Sequence, residues 1–225
     1  DTRPMTESTT HIQTLHVRMP EAASAVLPTR LRVAAQLSGA DLRPPGLSPS
    51  AVLLVRSLPD PAPGQVAATA PTVRLDRAWE RAVQSALADA LHRAARPVHG
   101  RIPGRAEAVL FRDAAEAWAC WSRALIAHSR ISSEPSWWMQ GLQGSESRAV
   151  RGPSGASGPR LADVWAARPQ KVPAIIGFLA AWGGATDVLR SIAATDADRI
   201  LRAVCTAYAC AVPASGGPTR HDAST

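Results

Sequence analysis

The chain has 225 residues, a net charge of +7 and a hydrophobic fraction of 46%, enough for one globular domain or for two small ones joined by a linker. Three cysteines, an odd number, argue against a disulfide framework and for a reducing, cytoplasmic setting, and the longest apolar run, around 175–182, is far shorter than the roughly 20 residues of a membrane span. The basic excess comes from 24 Arg and one Lys, spread so evenly that each third of the chain carries only +2 or +3, unlike the clustered footprint of a nucleic-acid-binding face.

Along the chain, residues 11–19 place Leu15, Val17 and Met19 in alternation ahead of Pro20 and predict a first strand. Residues 21–38 suit an Ala-rich helix interrupted near Pro28. Residues 51–58 contain Val52-Leu53-Leu54-Val55, a continuous apolar run that reads as a buried strand. Residues 59–71 hold four prolines and read as a loop. The clearest helix covers 74–95, with Asp76 as its cap and Trp79, Val83, Leu87 and Leu91 recurring at four-residue spacing. Pro97 stops it. A third strand is predicted over 107–112. Asp113-x-x-Glu116 then opens a helix to about His128, with Trp118, Trp121 and Leu125 on one side; Trp79, Trp118 and Trp121 are expected to form the internal core.

Pro135-Ser136-Trp137-Trp138-Met139 follows that helix. Two adjacent indoles are costly to leave in water and must pack inside this chain or against another. Neighbouring residues cannot both face one way in regular structure, so one ring is expected in the core and the other at a partner. Residues 143–159 hold four Gly, four Ser and two Pro and read as a linker. Short helices are predicted at 161–167, 172–182, 185–193 and 196–212, the last capped by Thr195. Residues 213–225 form a polar tail. The expected architecture is mainly α with a small α/β N-terminal part of about three short strands: a mixed region with Trp-rich helices at 1–142, a linker at 143–159, a helical region at 160–212 and a disordered tail at 213–225.

No cofactor signature is present. There is no Walker A sequence, and no G-x-G-x-x-G follows a strand. The Gly/Ser stretch 152–158 lacks a Gly-Lys-Ser/Thr ending. Cys205 and Cys210 lie five apart on one predicted helix, a spacing that does not share a face well, and read as buried structural thiols rather than metal ligands. Asp113 with Glu116, and Asp196 with Asp198, sit in first turns, where the helix dipole favours acids. An enzyme reading would place its site around Cys120 and His128, which lie eight apart on one helix and can share a face.

The order of these features resembles that of proteins from bacterial contractile injection systems, the phage-tail-like particles, and in particular their tape-measure-like family. An N-terminal His-Ile-Gln strand (His11–Gln13) leads to Arg18 and Pro20; a helix ends near His128; the Pro-Ser-Trp-Trp element follows; and after a low-complexity gap Arg168-Pro169 opens a series of Leu/Ile/Ala-rich helices. The resemblance implies a docking element at Trp137 and Trp138 and no catalytic residue. The chain is short for a ruler and lacks a long heptad-patterned helix, so an accessory assembly protein of such a particle fits it equally. The expected function is therefore non-enzymatic: a structural or assembly protein that docks other particle subunits through Trp137, Trp138 and Met139, with no cofactor, metal or membrane span. The alternative is a nucleic-acid-binding regulator using its Arg excess.

Overall fold

The computed structural model of the chain describes residues 10–14, 26–61, 77–131, 136–144 and 160–211. It is mainly helical, with one two-stranded antiparallel sheet. The chain divides into two compact units. The first is Asp1–Cys120 with Ser133–Arg151, and the second is Trp121–Ser132 with Gly152–Thr225.

In the first unit, α1 spans Val26–Gly39 without a break at Pro28. Pro28 is the third residue of the helix, where its missing N–H has no intrahelical acceptor to lose. Strand β1, Val52–Val55, pairs antiparallel with β2, Ala108–Phe111, so that Val52 faces Phe111 and Val55 faces Ala108. Opposed residues share a face of the sheet. Val52, Leu54, Val109 and Phe111 therefore point to one side, where α4 (Trp137–Gly144) packs. There the Trp138 ring stands 5.7 Å from Phe111, tilted by 51°, and Gly141 abuts the Leu54 side chain. Leu53, Val55, Ala108 and Leu110 point to the other side, toward α2 (Arg77–His92).

The described residues contain two strands, at the second and third of the expected positions. Residues 11–14 are not in a strand; they are exposed, and Gln13 Nε2 donates to the Gly141 carbonyl at 2.7 Å. Residues 15–20, the Asp76 cap, most of the Gly/Ser stretch 143–159 and the tail lie outside the described residues. On α2 the buried positions are Val83 and Ala90, while Trp79 is half-buried and its Nε1 donates to Asp60 at 3.1 Å. Trp79 is thus not a core residue. Strict four-residue spacing advances 40° too far at each step of a 3.6-residue helix, so a long i, i+4 series drifts off the buried face.

Helix α3, Ala114–Ile131, starts as its sequence requires. Asp113 Oδ1 accepts from the Glu116 N–H at 2.8 Å, and the Glu116 carboxylate reaches back to the Arg112 N–H. Glu116 is buried and also pairs with Arg96 at 3.6 Å. The first half of α3, with Ala117, Trp118 and Ala119 all buried, belongs to the first unit; Trp121 and Ser122, both fully enclosed, begin the second.

The second unit adds α5 (Leu161–Ala166), α6 (Val172–Ala181), α7 (Ala185–Arg190) and α8 (Ala194–Ala207). Its interior is built from Trp121, Leu161, Val164, Trp165, Val172, Ile175, Leu179, Val188, Ile200 and Cys205. Val172, Ile175 and Leu179 recur at spacings of three and four and fill one face of α6. A buried hydrogen bond from Trp165 Nε1 to Ser122 Oγ, 3.0 Å long, joins α5 to α3. At the surface, Arg199 bridges Asp163 at 2.8 Å and Asp196 at 2.9 Å, and the Arg123 guanidinium stacks over Trp182 at 5.3 Å.

Helix α8 differs from its expected limits at both ends. Its N-cap is Ala193, with no side-chain cap bond, and Thr195 lies inside the first turn. The Ala193 carbonyl already accepts the first helical bond, from Ala197 at 2.9 Å. The helix stops at Ala207 rather than near Val212, because Ala209 adopts φ 51°.

Candidate interaction surface

The Trp-Trp-Met element opens α4, and its three side chains have different fates. Trp138 is 3% exposed and Met139 is 0% exposed. Trp138 packs on Phe111 across the α4 face of the sheet. Docking a partner through Trp138 and Met139 is therefore corrected: both are enclosed within the chain, because α4 turns this pair of neighbours inward onto the strands. Trp137 is half-buried and is the one member of the triplet that keeps exposed surface. Its Nε1 is nevertheless buried, with no hydrogen-bond partner among the described residues.

A surface that no sequence motif flagged lies on the opposite side of the sheet. Between the end of β1, the second half of α2 and the segment entering β2 is an open cavity of about 570 Å3. Its apolar wall is made by Val55, Ala86, Ala90, Ala95 and Ala108, with Leu58, Pro59 and Pro61 along one side. Leu58 is exposed, as few large aliphatic side chains among the described residues are. Small side chains on the facing elements leave space that bulkier ones would fill. Asp89, Arg93, Arg105 and Glu107 supply two charges of each sign around the rim.

The backbone beside this groove is also informative. Arg56 N–H donates to the Glu107 carbonyl at 2.8 Å, which fixes the phase of the ladder. Val52 and Leu54 turn their polar groups to β2, whereas Leu53 and Val55 turn theirs away. The outer edge of β2 is occupied: Ala95 N–H donates to Ala108 and Leu110 N–H donates to Ala95, each at 3.0 Å. The outer edge of β1 has no such partner among the described residues. An unpaired strand edge next to an apolar groove is a template for an added strand.

The other candidates do not converge on chemistry. Cys120 is buried and His128 half-buried. Among the described residues no group of three or more His, Cys, Asp and Glu side chains is placed to hold a metal ion, and no described helix is long and apolar enough to cross a membrane. No protein-family model matches the chain, and neither a curated protein nor a solved structure matches it.

Cys205 and Cys210 are closer in space than their spacing suggests. The left-handed residue Ala209 ends α8 in a Schellman turn: Cys210 N–H donates to the Cys205 carbonyl at 2.9 Å, and Ala209 N–H donates to Thr206 at 3.3 Å. The turn folds the chain back, so that the side chains of the buried cysteine and the exposed one interact. Interaction with the Cys210 thiol, and then burial, push the Cys205 thiol up from its ordinary 9.0.

Proposed function

We propose that this chain is a non-enzymatic structural or assembly protein that acts by protein–protein docking, as a component or accessory of a bacterial contractile injection particle. The observation that carries the docking reading is the outer edge of β1, which has no partner among the described residues, lying beside an alanine-walled groove. The order of the His-Ile-Gln, Pro-Ser-Trp-Trp and Arg-Pro elements supports the particle assignment. The occupant is an extended segment of another subunit. Its backbone pairs with Leu53 and Val55, and its apolar side chains enter the groove against Ala86, Ala90 and Leu58. The mixed rim charges, Arg93 and Arg105 beside Asp89 and Glu107, select the register of that segment rather than its net charge.

The test uses two substitutions that spare the fold. Val55→Pro removes an N–H that points away from β2, so the β1–β2 ladder keeps its bonds. Leu58→Glu places a charge at an exposed position on the groove wall. Affinity capture from the native host with wild-type protein is expected to recover tube, sheath or baseplate subunits, and both variants are expected to lose them while keeping the wild-type circular dichroism. Equal recovery by both variants rejects the groove as the docking site. Capture that yields none of those subunits rejects the particle assignment.

A further inference from the structure

We propose that Cys205 and Cys210 form a reversible intramolecular disulfide, a redox modification site at the C-terminal turn of α8. Three observations converge on it. The Schellman bond from Cys210 N–H to the Cys205 carbonyl, 2.9 Å long, brings the two backbones within one hydrogen bond of each other, and a disulfide needs such close approach of its two residues. The thiols are neighbours, and neither is in a disulfide in this structure. They also differ in access: Cys210 is exposed, whereas Cys205 is 4% exposed, with its Sγ 3.7 Å from the Ala211 carbonyl. One thiol can therefore be reached from solvent, and the other is held beside it to complete the exchange.

The oxidant is a low-molecular-weight disulfide, R–S–S–R. The Cys210 thiol loses its proton to solvent, and the thiolate attacks one sulfur of the reagent. A Cys210–S–S–R bond forms as the S–S bond of the reagent breaks, and RS⁻ leaves and is protonated. The Cys205 thiol then loses its proton to solvent and attacks Cys210 Sγ. The Cys205–Cys210 bond forms, and a second RS⁻ leaves and is protonated. Two protein thiols are oxidised, and one reagent disulfide is reduced to two thiols. The second step accelerates with pH because the thiolate is the attacking form. Cys120, 2% exposed, stays out of the exchange.

The experiment treats the full chain with oxidised glutathione and follows intact mass, with peptide mapping after alkylation of the remaining thiols. The expected product is lighter by two hydrogen atoms, cross-linked between Cys205 and Cys210, with only a transient glutathione adduct. Cys205→Ser is expected to accumulate that adduct on Cys210. Cys210→Ser, altered at an exposed position, is expected to give neither adduct nor cross-link and to keep the wild-type circular dichroism. A lasting adduct on Cys210 of the wild-type chain overturns the proposal. So does a cross-link through Cys120, a covalent dimer, or a wild-type chain that does not react.

Discussion

The hydrogen bond from Trp165 Nε1 to Ser122 Oγ offers a quantitative test of how the second unit is held. Both side chains are enclosed, at 1% and 0% exposure, and the bond is 3.0 Å long between residues 43 apart in sequence. A buried neutral hydrogen bond contributes about 0.5–1.5 kcal/mol net, and stranding one buried partner costs about 1–3 kcal/mol. Ser122→Ala leaves the indole N–H without this acceptor, and Trp165→Phe leaves the hydroxyl without this donor while removing part of a large ring. Each is expected to destabilise by about 1–3 kcal/mol. The double variant removes both ends of the bond and strands neither. Its loss is expected to fall short of the sum of the two singles by about 1 kcal/mol or more. Other effects of either residue cancel in the cycle. The assay is urea unfolding followed by helical circular dichroism, comparing midpoints at constant m. Losses that add to within about 0.3 kcal/mol would refute the claim that this bond couples α3 to α5.

Four further outcomes follow from the same geometry. Trp138→Ala empties a site between Phe111 and α4 and is expected to cost about 3–5 kcal/mol, whereas Trp137→Phe removes a buried N–H that has no partner among the described residues and is expected to leave the urea midpoint unchanged or higher. Arg199→Ala breaks the bridge to Asp163 and Asp196 at a side chain that is 47% exposed, so the loss is expected to be no more than about 1 kcal/mol at low salt and to vanish near 1 M salt in parallel unfolding titrations. Under reducing conditions Cys205 is expected to steepen the fall in stability at high pH. Its folded pKa lies above the ordinary 9.0, so above that value the unfolded chain binds fewer protons than the folded one. The stabilisation is whole below about pH 9 and is lost as pH rises through the folded pKa. Unfolding free energies from pH 7 to 11 should therefore decline more steeply for the wild type than for Cys205→Ser.

What the chain determines locally was legible without a fold. Apolar runs and periodicities placed the two strands and α2, α3, α5 and α6 to within a few residues, and Asp113 with Glu116 marked the start of α3, because each signal depends on neighbours within one or two turns. The errors fell where local rules leave a choice. Thr195 is a good cap residue in the abstract, yet α8 begins at Ala194; the alternation of Leu15, Val17 and Met19 lies outside the described residues. No pattern could decide which indole of Trp137-Trp138 would be enclosed, because that depends on Phe111 and Leu54 meeting α4 from distant parts of the chain.

The groove was decided by tertiary structure, and the approach of the two cysteines by a backbone turn that no residue pattern announces. Ala86, Ala90, Ala95 and Ala108 read as ordinary helix and strand residues, and they make a groove only because the packing of β1, β2 and α2 sets them around one space. Cys205 and Cys210 looked mismatched on a continuous helix; the left-handed turn at Ala209, which propensity gives no reason to expect at an alanine, ends that helix early and brings the thiols together. Side-chain chemistry and periodicity are encoded residue by residue, but proximity between distant residues, and the backbone conformation that allows it, arise only when burial of the whole core outweighs local preference.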